Sequence, residues 1–268
     1  MRWIRFTTDG RTVYGILDGE RITEVKGDPF DGYERLSATH ALGAVTIELP
    51  VVPPTFYCVG LNYAEHVVMA AKKLGITAEL PKQPDVGYRA NNALLAHGRD
   101  VIIPRDATEK VHYEGELVVV MGRRARNVTE VKALTYVLGY SIGNDVSERT
   151  WQKGDRTLWR AKNADTFKPM GPWIETDVDL DKLETRVRVN GTETTRFRTN
   201  AMIHGVALYI STISRYVTLE PRDVIWMGTD DKSPDLVSGD VVEVEISGIG
   251  VLRNRFVRQG AASVAPIL

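Results

Sequence analysis

The residue types and spacing most able to do chemistry are two glutamates flanking one glycine, in Val111-His112-Tyr113-Glu114-Gly115-Glu116-Leu117-Val118. In an extended strand side chains repeat every second residue, so both carboxylates leave from one face. Two like charges side by side repel, and on a dry face they cost stability unless a cation lies between them. A third carboxylate, Asp145, closes the apolar run Gly139-Tyr140-Ser141-Ile142-Gly143-Asn144, at a strand end where side chains emerge into a cleft. Three oxygen donors with no cysteine nearby suit a hard divalent ion, Mg2+ first, then Mn2+ or Ca2+. By spacing alone, a solvated strand face with Asp145 as a turn former is the plainer reading, because E-x-E is a weak motif by itself.

His66 is the candidate for proton exchange near neutral pH. A lone helix histidine is more often structural. Cys58, the single cysteine, lies in the apolar run Phe56 to Val59 and reads as buried core rather than nucleophile.

The elements that must position these groups are mostly strands. Asp9-Gly10 and Asp18-Gly19 separate the short runs Trp3 to Phe6, Val13 to Leu17 and Ile22 to Val25, the signature of a β-meander. A small β-rich domain is expected over residues 1–50. Prolines 50, 53 and 54 then suit a linker, and the larger domain spans residues 51–268. Within it, strands are expected at Phe56 to Val59, Val101 to Ile103, Gly115 to Met121, Leu138 to Asn144, Arg186 to Val189, Thr194 to Phe197, Val224 to Met227 and around Val242 to Ile246. Asn62 should cap a helix that carries His66 and stops at Gly75. Further helices are expected over about 129–137 and 200–216, where Met202, Val206, Tyr209, Ile210 and Ile213 recur at helical spacing. The class is α+β, predominantly β.

Composition narrows the function. Thirty-four basic and 35 acidic residues leave a formal charge of -1, which gives a polyanion or an anionic membrane no reason to bind. The polar first ten residues and the lack of any run near the ~20 apolar residues of a membrane span point to a cytoplasmic protein. Asn127-Val128-Thr129 and Asn190-Gly191-Thr192 carry no weight as glycosylation sites, the second being a hairpin turn.

Four segments in sequence order raise the odds of a site. Cys58-Val59-Gly60-Leu61-Asn62-Tyr63-Ala64-Glu65-His66 resembles the GLNY-x-x-H segment of the fumarylacetoacetate hydrolase family. Tyr113-Glu114-Gly115-Glu116-Leu117 resembles its YE-x-E-L strand, Asp145-Val146-Ser147-Glu148-Arg149-Thr150-Trp151-Gln152 its D-x-S-x-R-x-x-Q segment, and Lys162 to Pro172 its K-x-x-DTF-x-P-x-GP. The resemblance runs from about Pro53 to Phe256. It implies a mixed β-sheet roll, usually dimeric, with Glu114, Glu116 and Asp145 on the metal and Arg149, Gln152, Lys162 and Thr166 lining a cleft. Lys162 would offset the charge of an enolate, and Arg149 would clamp a carboxylate. Tyr63 reads equally as a substrate hydrogen-bond donor or as packing.

Three departures surround the metal set. Many hydrolytic members carry H-x-x-E, whereas this chain has His66-Val67-Val68-Met69. Glu65 faces the wrong way to replace that acid, leaving Asp230 or Asp231 as candidates. Arg89 stands where the family commonly has a lysine, which changes the expected contact with the far end of the substrate. The loop 226–233 keeps Gly228 and Thr229 and lacks the family's proline, with Thr229 still a candidate carboxylate ligand. The expectation is hydrolytic carbon-carbon cleavage of a 2,4-dioxo acid, with His66 activating water and Lys162 and Gln152 steadying the developing charge. Decarboxylation or keto-enol isomerisation of a 2-oxo dicarboxylate is the runner-up, and a catalytically silent oxo-acid-binding protein comes third.

Overall fold

The computed structural model describes residues 1–230 and 232–260. The alternating N-terminal runs form the meander: Arg2–Thr8, Arg11–Asp18 and Arg21–Asp28 pair antiparallel, and Gly32–Ala41, mostly exposed and without a clear sequence signal, adds a fourth strand. Asp9 and Gly10, with φ of 47° and 73°, make the first turn in the left-handed region that an Asp-Gly pair tolerates.

This N-terminal β domain is hydrogen-bonded to the larger one. Arg2 and Trp3 lie opposite Glu175 and Ile174 of the strand Lys168–Glu175. Trp3, Ile16 and Val25 pack in one apolar cluster with Phe56, Ile174 and Trp226. The sheet continues from Lys168–Glu175 through Val137–Asn144, Gly115–Met121, Val224–Trp226, Phe56–Val59 and Val86–Tyr88. Only Val224–Trp226 and Phe56–Val59 run parallel along this path. Lys168–Glu175 was not foreseen, since Pro169, Gly171 and Pro172 interrupt the strand pattern.

A second sheet is ordered Thr192–Arg198, Glu184–Val189, Val241–Ile246, Gly250–Arg258, Asp100–Ile103, its last pair parallel. Its Val187, Val244, Leu252 and Phe256 pack with Leu117, Val119 and Ile142 of the large sheet in the main core. The architecture is therefore α+β, predominantly β, built from mixed sheets.

The helix Ala64–Leu74 ends as expected at Gly75, which takes φ 68°. Asn62 does not cap it. Its amide donates instead to the carbonyls of His204 and Met227, and its side-chain oxygen accepts from the His204 amide, tying the segment before the helix to two other loops. The expected helix over 200–216 is shorter, Val206–Tyr216, and that over 129–137 is a single turn, Glu130–Ala133, followed by a 3-10 turn. No helix among the described residues is long and apolar enough to cross a membrane.

One glycine decides how tightly the site's strands sit on the core. Gly143 pairs with Glu116, and a Cβ there would stand 2.6 Å from the buried Trp226 indole. Gly143→Ala should therefore lower the unfolding free energy by about 1–3 kcal/mol, read from the urea midpoint at unchanged slope.

Candidate metal centre

Two strand ends build the centre. Gly115 pairs with Asn144 and Glu116 with Gly143, so the start of one strand lies against the end of the next. The Asp145 amide donates to the Glu114 carbonyl at 2.8 Å, and the Glu114 amide to Asn144 Oδ1 at 3.0 Å. This register brings one carboxylate oxygen each from Glu114, Glu116 and Asp145 within 4.8 Å of one another. All three are buried, at 4%, 2% and 2% exposure, so the solvated-face alternative is excluded.

Buried carboxylates need compensating charge, and four cations supply it. Lys162 Nζ donates to Glu114 Oε2 at 2.5 Å and Asp145 Oδ2 at 2.8 Å. Lys168 Nζ, fully buried, lies 2.7 Å from Asp145 Oδ1 and donates to the carbonyls of Val146 and Phe167. Arg89 grips Asp145 with Nε at 3.3 Å and Nη2 at 2.9 Å. Arg149 Nη2 donates to Glu114 Oε1 at 2.6 Å.

The charge is unevenly distributed. Burial opposes ionisation of Glu114, but Lys162 and Arg149 outweigh it and bring the carboxyl down to about 2. For Asp145 burial is again the largest single effect, yet Arg89, Lys162 and Lys168 together hold the group well below the carboxylate range. Glu116 is different: burial, then the charges of Asp145 and Glu114, push it well above its ordinary value, against Lys162 and the Gly228 amide, which donates to its Oε2 at 2.9 Å. Glu116 is thus the one member of the set whose ionisation calls for an additional cation. An all-oxygen, anionic and enclosed donor set of this kind fits a hard divalent ion.

A family model described as fumarylacetoacetate (FAA) hydrolase C-terminal matches residues 55–257, and an Rv2993c-like N-terminal model matches residues 1–50. The chain belongs to the fumarylacetoacetate hydrolase family. A 2,4-didehydro-3-deoxy-L-rhamnonate hydrolase of Sphingomonas sp. strain SKA58 is 34% identical over 281 residues, covering 95% of each chain. A 4-hydroxyphenylacetate degradation bifunctional isomerase/decarboxylase of Salmonella dublin is 38% identical over 213 residues, 78% of this chain and 48% of the relative. The crystal structure of a 2-hydroxyhepta-2,4-diene-1,7-dioate isomerase from Mycobacterium marinum superposes with a TM-score of 0.87 at 35% identity, covering 97% of this chain and 99% of the other. The family is thus one of enzymes, hydrolases, isomerases and decarboxylases among them, and the Mycobacterium marinum isomerase shares this fold.

Most of the residues expected at the family site come together, though not all in the expected roles. Gln152 reaches the cluster through Arg149, whose Nη1 donates to Gln152 Oε1 at 3.0 Å. Arg89 spends its guanidinium on Asp145 and on the Tyr88 carbonyl, its side chain only 8% exposed. Thr229 is buried next to Gly228, the residue whose amide holds Glu116. His66 lies near enough for its charge to act on Glu114.

Tyr63 and Thr166 each have a hydrogen bond to the backbone. Tyr63 is 1% exposed, donates its hydroxyl to the Thr199 carbonyl at 2.6 Å and packs edge-on against Phe197. The Thr166 hydroxyl accepts from the Ile102 amide at 2.7 Å, in a residue with φ 69°. Asp230 bonds the backbone amide of His66 at 3.1 Å, so this carboxylate serves the helix's first turn. Asp231, the other candidate partner, lies outside the described residues. Lys168 went unrecognised in the sequence. The available signal was that Lys168 is the one charged residue between Thr166 and Ile174, where burial would demand an anion.

Cys58 is core, as expected. Burial pushes its thiol up to about 12, with Arg89 opposing. A raised thiol pKa means stability that is complete below the ordinary thiol range and lost as pH climbs from ~9 towards 12. At pH 9 the folded chain should alkylate on the order of a hundredfold more slowly than the urea-unfolded chain, and Cys58→Ala should flatten the alkaline fall in stability.

Proposed function

We propose that the protein is a divalent-metal-dependent hydrolase that cleaves a carbon-carbon bond in a small 2,4-dioxo acid of the acylpyruvate or fumarylacetoacetate-like kind. The observation that carries this reading is a buried three-carboxylate cluster walled by Lys162, Lys168, Arg89 and Arg149 and approached by His66. Glu114, Glu116 and Asp145 would hold the ion, Mg2+ in this reading. When bound, the ion supplies Lewis-acid polarisation of a keto oxygen.

The side chains provide the rest. Arg149 and Thr229 orient the anionic head of the substrate. With its Oε1 accepting from Arg149, Gln152 keeps its amide N–H2 as a donor for the oxyanion. His66 takes a proton from water, and the hydroxide oxygen bonds to the acyl carbon. The bond from that carbon to the methylene then breaks, its electron pair passing into the enolate of a pyruvate-like fragment. Lys162 offsets that charge until the enolate carbon is protonated. One acid and one 2-oxo acid leave.

A second reading, decarboxylation or keto-enol isomerisation of a 2-oxo dicarboxylate, has a specific observation in its favour. Met69 occupies the helix position one turn after His66, and Asp230 is engaged on the helix backbone. Chemistry that needs enolate stabilisation but no activated water would tolerate both. The names of the Salmonella dublin and Mycobacterium marinum relatives are of this kind.

Calorimetric titration of Mg2+ and Mn2+ into metal-stripped protein should show binding that tightens with oxalate, and Glu116→Ala or Asp145→Ala should abolish it. An unliganded wild type would end the metal-dependent reading. For turnover, acylpyruvate should yield two acids without gas, and Met69→Glu should raise that hydrolysis roughly tenfold while leaving release of carbon dioxide from oxaloacetate unchanged. Carbon dioxide as the main product of the wild type, with acylpyruvate untouched, would replace the first reading by the second.

A further inference from the structure

The short strand Val111–His112 pairs with Ser147–Glu148, setting His112 opposite Ser147, and the Arg149 amide donates to the Lys110 carbonyl at 2.8 Å. His112 and Arg149 are thereby held side by side, two residues before Glu114 and four after Asp145. Arg149 Nε donates to His112 Nδ1 at 3.3 Å, and His112 Nε2 lies 2.9 Å from Asp235 Oδ1. The Leu236 amide donates to the Val111 carbonyl at 2.8 Å, which pins Asp235 against this edge, and Lys110 pairs with the same carboxylate.

These contacts fix a direction. Guanidinium nitrogens only donate, so His112 Nδ1 is the bare acceptor and the ring proton sits on Nε2, aimed at Asp235. The imidazole therefore bridges a carboxylate outside the cluster to the guanidinium inside it. Arg149 then meets His112 through Nε, Gln152 through Nη1 and Glu114 through Nη2. Three contacts at three nitrogens leave the planar fork one orientation, whereas a side chain of four rotatable bonds otherwise samples many.

We infer that His112, backed by Asp235, is a positioning residue that sets the Arg149 fork for the carboxylate of the oxo acid. The inference rests on the reading of Arg149 as the anion clamp. It predicts that acceptor placement at the Nδ1 position matters more than the ring. Asparagine places an amide oxygen close to where Nδ1 stands, whereas glutamine reaches only the Nε2 position.

The test uses the full chain loaded with Mg2+, in wild type, His112→Asn, His112→Gln, His112→Ala and Asp235→Ala. Each is titrated with Mg2+ alone and then with oxalate, and assayed for KM and kcat where the wild type turns over a substrate. Oxalate affinity is expected to fall about tenfold in His112→Gln and His112→Ala, less in Asp235→Ala, and to be mostly kept in His112→Asn. The change should appear in KM more than in kcat, with Mg2+ binding and thermal unfolding near those of wild type. Equal oxalate affinity in all five proteins overturns the positioning role while leaving the reading of the site intact. A loss in His112→Asn as large as in His112→Ala also overturns it. Wild type that binds Mg2+ but no oxalate removes the anion clamp itself, and the inference falls with it.

Discussion

The structure is organised around one electrostatic constraint: three carboxylates within 4.8 Å of each other, sealed from water. Such a cluster repels itself, and in a low-dielectric interior the repulsion is far larger than at a surface. It persists because cations arrive from four separate stretches of chain. Arg89 comes from beside the edge strand of the large sheet, Arg149 from the first residue of the short helix Arg149–Gln152, Lys162 from an irregular loop, and Lys168 from the first residue of a central strand. Each carries a backbone element with it, so satisfying the cluster assembles much of the larger domain.

The compensation is uneven in a way that matters for chemistry. Among the described residues Asp145 has three of the four cations, Glu114 has two, and Glu116 has the field of Lys162 and the Gly228 amide. The protein's own charges therefore favour the ionised form of two carboxylates and the neutral form of the third, which a further cation would reverse. His66 stands on a helix whose first turn Asp230 satisfies, and Met69 follows it one turn along in place of a carboxylate.

The second consequence concerns the scaffold. The strand Lys168–Glu175 carries a charge partner of Asp145 at one end and the edge to which Arg2 and Trp3 bind at the other. The N-terminal meander thus reinforces, through eight residues of strand, the element that supplies Lys168 to the centre. Glycines at close approaches do similar work: Gly143 lets Trp226 fill the space beneath the strand pair on which Glu116 stands.

The sequence by itself put Glu114 and Glu116 on one strand face and Asp145 at a strand end, because a two-residue period and a strand end are local properties. Spacing left them a solvated face, the resemblance alone joined them as candidate metal ligands, and the fold buried them within 4.8 Å of one another. The sequence likewise determined the predominantly β class, the Asp-Gly turn at residues 9–10, the stop at Gly75 and the burial of Cys58. The tertiary structure alone decided which cations serve that set. Arg89 lies 56 residues from Asp145 along the chain, and no periodicity encodes such a pairing. It also gave Tyr63 and Thr166 their backbone partners, because their hydroxyls meet the Thr199 carbonyl and the Ile102 amide only once the sheets pack. Lys168 and His112 are the same case: their chemistry follows from what lies opposite them, and what lies opposite is a property of the fold.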